Sequence, residues 1–207
     1  MISVREKTGT FLQQIGVDVP MTLPELDAEL CVSRAEVDVA RRMLCMSGIV
    51  ALSFDLSRKP IIESWLEREK LIEYLTKEEA RFLKGGYKNI AAMQWRVESL
   101  YALAWSSSLS EDYQSFAPCP DDLVSHFPSI SRGESSALFI SKIKIRPNQE
   151  IIEALDIFYC LHWRIRNSLL EGSKASGPLP DSAIIERRRA LEWLFSDEDW
   201  EAVSLDT

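Results

Sequence analysis

Residues 151–172, IIEALDIFYCLHWRIRNSLLEG, decide how the chain is read. Ile151, Leu155, Phe158, His162, Ile165 and Leu169 recur at steps of four and three, the period of a helix with one buried face. Asn148 stands where a helix is capped, and Gly172 where one stops. A histidine lies on the apolar stripe, and Asp156, Tyr159, Trp163 and Arg166 run along an adjacent face. The segment is therefore a buried helix that carries ionic groups, either a site or a core with internal pairs.

Working outward, the same period recurs. Ser33 with Glu36 forms a capping-box pattern ahead of VDVARRMLCMSGIVAL, and Thr76 with Glu79 forms another ahead of ARFL. Between them, Ile62, Trp65, Leu66, Glu69 and Ile72 predict one helix through KPIIESWLEREKLIEYL. Gly85 and Gly86 break the chain before a largely enclosed helix from about Asn89 to Ser108. Residues 110–147 hold five prolines or glycines and many serines, and predict an irregular connector with a short helix at PDDLVSHF. Asp181 or Ser182 opens a last helix through AIIERRRALEWLF, and residues 3–15 predict one more. LFISKIKI is the only alternating, strand-like stretch. The expected fold is all-α, a compact bundle of about seven helices with little or no β. Residues 1–207 are expected to form one α-helical domain, with 110–147 as its connector.

Of the 207 residues, 46% are hydrophobic and 27% charged, an ordinary globular composition. No apolar run approaches the ~20 residues a membrane span needs, and MISVREKTGTF lacks the apolar core of a signal peptide. A cytoplasmic protein is expected. Cys31, Cys45, Cys119 and Cys160 are widely spaced and read as reduced, packed thiols. The net charge of −8 is uneven: 14 bases against 15 acids in residues 1–100, and 10 against 17 in residues 101–207. From Glu192 to Asp206 there are six acids and no base, interleaved with Trp193, Phe195 and Trp200. Such a surface repels nucleic acid and anionic lipid and attracts a basic partner.

Several chemistries lack their residues. With only His126 and His162, no close cysteine pair and no Glu-x-x-His repeat, neither a zinc nor a di-iron site has enough ligands, and no metal or other cofactor is expected. Gly85-Gly86-Tyr87-Lys88 lacks phosphate-loop spacing, and Gly133-Glu134-Ser135-Ser136-Ala137 lacks the second glycine of a nucleophile elbow. Residues 22–50 scan like a helix-turn-helix, with a first helix at 23–30 and a second from Arg34. Yet Glu36 and Asp38 sit where phosphates would be met, and residues 23–30 carry three acids without a base, so no nucleic-acid partner is expected.

Four spaced motifs, WRVESLYALAW, IIEALDIFYCLHW, ERRRALEWL and WEAVSLDT, resemble in that order the pattern of the bacterial domain of unknown function 4272 family. The matching positions begin with Trp95, Arg96, Glu98 and Leu100, followed by Asp156, Ile157, His162 and Trp163. They continue with Glu186, Arg187, Ala190, Leu191, Trp193 and Leu194, and close with Trp200, Val203, Asp206 and Thr207. The likeness spans about residue 33 to the end. Asn167 stands where the pattern has an acid, Glu192 where it has Asn, and Glu201 where it has Asp. The resemblance implies a class and attaches no activity.

Two functions follow from these residues. Arg96, Glu98, Asp156, His162, Trp163, Arg166, Glu186 and Arg187 are expected to form a buried polar network, since buried charges are costly unless paired. With those groups internally satisfied and no nucleophile beside the histidine, no catalytic residue is assigned, and the protein is expected to be a non-catalytic protein-binding module. Its most concrete form is an acidic bacterial immunity protein that covers a toxin's active site. Asp197, Glu198, Asp199 and Glu201 would then meet a basic cleft, with Trp200 as anchor. The alternative is a small hydrolase-like or transferase-like enzyme using His162 as general base with Glu98, Asp156 or Glu186 nearby.

Overall fold

The computed structural model describes residues 2–27, 29–86, 88–111, 117–172 and 178–206, and among these described residues there are eight α-helices. They are α1 (Val4–Gln14), α2 (Glu36–Phe54), α3 (Lys59–Arg68), α4 (Lys77–Leu83), α5 (Ile90–Ser106), α6 (Ala137–Lys142), α7 (Asn148–Leu170) and α8 (Asp181–Phe195). No strand occurs among the described residues, and the fold is all-α. Tyr87 of the glycine-containing loop, residues 112–116 of the connector, residues 173–177 and Thr207 lie outside the described residues.

Helix α5 is the axis. It packs against α2 on one side and α8 on another, α8 packs against α7, and α7 against α1. One cluster of buried apolar side chains runs from Leu12 to Val203 and includes Met43, Ile62, Trp65, Leu100, Phe158 and Leu191. The stripe expected on α7 is buried from Ile151 to Ile165, but Leu169 is exposed, and in the last turn Ser168 is the residue that is enclosed.

Several local expectations are corrected, each because a tertiary contact claims the residue. Ser33 does not cap α2; its N–H donates to the Leu194 carbonyl (3.0 Å) and its Oγ to that of Ser196 (3.2 Å), leaving Ala35 as a cap without a side-chain bond. Asn148 does not cap α7; its Oδ1 accepts the Val32 N–H at 3.3 Å. Both cap residues thus hold the extended stretch 32–33 against the bundle. The first helix of the helix-turn-helix pattern, at 23–30, is absent from the described residues there, and Arg5 takes the carbonyls of Leu23 (3.2 Å) and Pro24 (2.9 Å).

The helix predicted through residue 75 stops at Arg68. Lys70 turns left-handed (φ 57°), and Leu71 N–H donates to Leu66 O at 2.8 Å while Lys70 N–H donates to Glu67 O at 3.0 Å. This paired closure turns Leu71 into the core and leaves Ile72 to start a separate 3-10 turn, Ile72–Tyr74. The Thr76–Glu79 capping box is present at the start of α4, as expected.

The described part of the connector is bound to the bundle. Trp65 Nε1 donates to Glu134 O (2.8 Å), Glu69 Oε2 accepts from Ser136 N–H (2.9 Å) and Oγ (2.7 Å), and Arg146 Nε donates to Trp105 O (2.7 Å). PDDLVSHF forms a 3-10 helix, Asp121–His126. The strand-like LFISKIKI is α6 followed by an extended stretch whose Arg146 N–H meets Ser106 O at 2.9 Å, so its alternation reflects burial of Phe139 and Ile143.

Candidate functional site

The eight residues expected in one polar network are divided among separate knots between helices. Glu98 of α5 and Arg187 of α8 meet as expected: Nε donates to Oε2 at 2.8 Å and Nη2 at 2.6 Å, with Arg187 also reaching Ala117 O (2.6 Å) and Glu98 accepting Cys119 N–H (3.2 Å). Asp156 pairs instead with Arg5 of α1 (2.5 Å), both buried. Arg96 pairs with Glu79 (2.7 Å) and Glu78 (2.8 Å) of α4. Glu186, half-buried, accepts from Ser99 Oγ (2.7 Å). Trp163 is half-buried and Arg166 exposed, so neither joins a buried pair.

His162 is 4% exposed and is held by Arg188, whose Nη1 lies 2.7 Å from its Nδ1. A guanidinium only donates, so Nδ1 must present its lone pair and the proton belongs on Nε2. Arg188 also binds Glu192 Oε1 (3.1 Å) and the carbonyls of Leu205 (3.0 Å) and Asp206 (2.8 Å), which fastens the C-terminal segment to α7 and α8. Burial, then Arg188, Arg166 and Arg189, push the His162 pKa down from 6.5 to about 4. The ring is neutral.

This shift has a measurable sign. The unfolded chain takes a proton on the imidazole near pH 6.5 and the folded chain only near 4, so stability falls as pH drops through that window. The loss attributable to His162 is roughly 2 kcal/mol once solvent screening is allowed for. Glu192, pushed above its ordinary range by burial despite Arg188, acts in the opposite sense. His162→Asn retains an acceptor for Arg188 without the titration. Urea denaturation at a series of pH values should show a flatter profile in this variant than in the parent.

Four participants were not singled out for the network from sequence: Arg5, Arg42, Glu79 and Arg188, all less than a tenth exposed. A signal existed for Arg5, which shares a helix face with Thr8 and Leu12 at steps of three and four. Arg42 interrupts an apolar run, and Arg188 stands four residues before Glu192. Glu79 was read as a cap, and it is also the partner of Arg42 Nη2 and Arg96. Burial pushes its carboxyl up, but Arg42 and Arg96 outweigh that and hold it below its ordinary value.

A cleft of about 600 Å³ lies elsewhere, between the N-terminal half of α2, the 3-10 turn Ile72–Tyr74 and the segment after α8. Its walls include Arg34, Arg41 and Arg42 with Tyr74, Trp193 and Trp200, and each guanidinium lies over a ring: Arg34 over Trp193 and Arg41 over Tyr74 at 4.6 Å, Arg42 over Trp200 at 5.7 Å. Asp199 and Glu201 lie on its rim. Asp197, Glu198, Asp199 and Glu201 are exposed, whereas Trp200 is buried against Trp193 (5.6 Å between centroids) because the segment folds back on the bundle. Glu201 Oε1 accepts the Glu78 N–H (2.7 Å) at the start of α4.

All four cysteines are free thiols, and burial pushes Cys45, Cys119 and Cys160 up to about 12, far from a reactive thiolate. Among the described residues no three His, Cys, Asp or Glu side chains are grouped to hold a metal, and no helix is long and apolar enough to cross a membrane.

Comparison with curated proteins and with solved structures finds no match. A family model described as a domain of unknown function (DUF4272) matches residues 4–203, which extends the likeness to α1 and so to Arg5 and its pair with Asp156. The chain belongs to the domain of unknown function 4272 family.

Proposed function

We propose that the protein is a non-catalytic protein-binding module whose exposed C-terminal carboxylates receive a basic partner, most concretely a toxin that it neutralises by covering a basic cleft. The observation that carries this reading is the enclosure of His162, with its Nδ1 lone pair engaged by Arg188. Glu98 and Asp156 are engaged in the same way by Arg187 and Arg5. What remains open to a partner is the segment bearing Asp197, Glu198 and Asp199, anchored by Trp200 from beneath and by the Arg34 Nη2 bond to the Glu198 carbonyl. Carboxylates held on a fixed segment speed capture of a cationic surface and choose among partners by charge. Trp200 is committed to the interior, so the contact is assigned to the acids. The rival enzyme reading needs an imidazole lone pair open to substrate, whereas His162 is buried and does not line the 600 Å³ cleft.

The test begins with capture of the product encoded beside this gene by the purified chain, followed by association kinetics at several salt concentrations. Lysine at Asp197, Glu198 and Asp199 together is expected to slow association about tenfold or more at low salt, an effect that shrinks as salt rises. Glu201 is left intact because it also caps α4. Equal association rates for parent and triple variant, or a rate indifferent to salt, would refute the role of these acids.

A further inference from the structure

Five hydrogen bonds leave the Arg188 guanidinium, one for each of its N–H groups, and their acceptors are of two kinds. Three bonds go to side chains that titrate: Nη1 to His162 Nδ1 at 2.7 Å, and Nε and Nη2 to Glu192 Oε1 at 3.2 and 3.1 Å. The other two go to the main chain after α8, Nη1 to the Leu205 carbonyl at 3.0 Å and Nη2 to that of Asp206 at 2.8 Å. One guanidinium, 2% exposed, thus ties the end of the C-terminal segment to groups whose hydrogen bonding depends on acid.

Protonation undoes the bond to the ring. Nδ1 accepts from Arg188 while it carries no proton; an imidazolium would turn an N–H toward another N–H and set two cations 2.7 Å apart. The charges around the ring add to this conflict. Arg189 of α8 and Arg166 of α7 also act against a charged imidazole, and Arg5 of α1 shares the Tyr159 ring with Arg188. Arg5 is matched by Asp156, and the Asp206 carboxylate accepts from Ser204 Oγ, so the carboxylate that steadies Arg188 is that of Glu192. Burial raises the Glu192 carboxyl, which is therefore neutralised early as pH falls and loosens its hold on the guanidinium. With the ring repelling and the carboxyl neutral, Arg188 withdraws from Nδ1, and the Nη1 that it withdraws is the one on Leu205.

We propose that Arg188 is an acid-operated latch: when His162 and Glu192 take up protons, residues 203–206 leave the bundle while the helices stay folded. Beyond the two carbonyl bonds, that end rests on the modest apolar contacts of Val203 and Leu205 with the core. The stretch before it keeps fastenings of its own, Arg34 on the Glu198 carbonyl, Ser33 on that of Ser196, and Trp200 in the interior. Helix α8 stays joined to α5 through Arg187 and Glu98. Release is therefore local, the opening of a weakly held end rather than of the fold. The latch stands whether or not the acids at 197–199 receive a partner.

Nuclear magnetic resonance of the full chain, labelled with nitrogen-15, reads both parts of the latch between neutral pH and about pH 3.5. The His162 ring nitrogens report its protonation, and backbone order parameters report the segment. At neutral pH, Nδ1 is expected to show the shift of an unprotonated acceptor, with residues 203–206 near the rigid-backbone value of about 0.85. As the ring titrates, near pH 4, those residues are expected to fall below about 0.6 while α5 and α8 keep their values. His162→Asn with Glu192→Gln offers Arg188 acceptors that take up no proton, and is expected to keep the segment rigid down to about pH 3.5. The double variant leaves the other carboxylates of the segment, such as Glu201 and Asp206, in place, so it separates their effect from that of the latch. The proposal is overturned if the segment stays rigid after the ring has titrated, or if the helices unfold in the same step or before it. Both of these outcomes are read on the parent alone. It is also overturned if the double variant releases the segment at the same pH as the parent.

Discussion

Glu79→Ala is expected to cost about 3–5 kcal/mol of folding stability, the range for removing one partner from a buried ionic cluster. The carboxylate is fully enclosed, and it serves three elements at once. It accepts Thr76 N–H at 3.0 Å to close the start of α4, takes Nη2 of Arg42 from α2, and takes Nη1 of Arg96 from α5 at 2.7 Å. Truncation removes the cap and strands Arg42, left with the Tyr74 carbonyl, in a place where an unpaired guanidinium is costly. Arg96 retains Glu78, so the loss falls mainly on α2. Against a typical stability of about 5–15 kcal/mol, this is a large fraction. Urea or thermal denaturation measures it, and a change below about 1 kcal/mol would show that water reaches the cluster and replaces the carboxylate. Because the folded carboxyl titrates below its unfolded value, its stabilisation is present at neutral pH and disappears as pH falls through the folded pKa. Parent and variant should therefore converge in stability under acid.

Arg187→Met is expected to cost a similar ~3–5 kcal/mol, and Glu98→Leu about as much, whereas the double variant should recover a substantial part of the loss. The pair is buried, 0% and 5% exposed in its side chains, and joins α5 to α8, the two helices at the centre of the bundle. Arg187→Met leaves the Glu98 carboxylate without the guanidinium it faces in a low-dielectric interior, and Glu98→Leu takes from Arg187 the oxygen that both Nε and Nη2 meet. Removing both leaves apolar groups between Tyr101 and Phe158, whose rings now lie 5.0 and 5.8 Å from the Arg187 carbon Cζ. Recovery should be incomplete, because the Cys119 N–H and the Ala117 carbonyl lose their partners. A double-mutant cycle in denaturant reads the coupling directly, and additive single effects would mean that the two ions do not depend on each other.

Much of the helical framework was legible in the chain. The stripe on α7, the break at Gly85 and the capping box at Thr76 are local devices, and each appears where its residues stand. The errors share one cause. Ser33 and Asn148 have the right side chains to cap their helices, and each bonds a distant backbone group instead. Lys70, an ordinary helix residue by type, turns left-handed so that Leu71 reaches the core. Arg5 lies 151 positions from Asp156 in sequence, and nothing in either neighbourhood names the other.

The sequence by itself determined that the chain is all-α, where most of its helices lie, and that ionic groups sit on buried faces, because period, caps and glycine stops act over four or five residues. Tertiary structure alone decided which ion meets which, that His162 faces an arginine rather than an acid, and that Trp200 turns inward beside a cleft of balanced charge. Coulombic pairing and desolvation depend on distance in space, and that distance is set only when the helices pack.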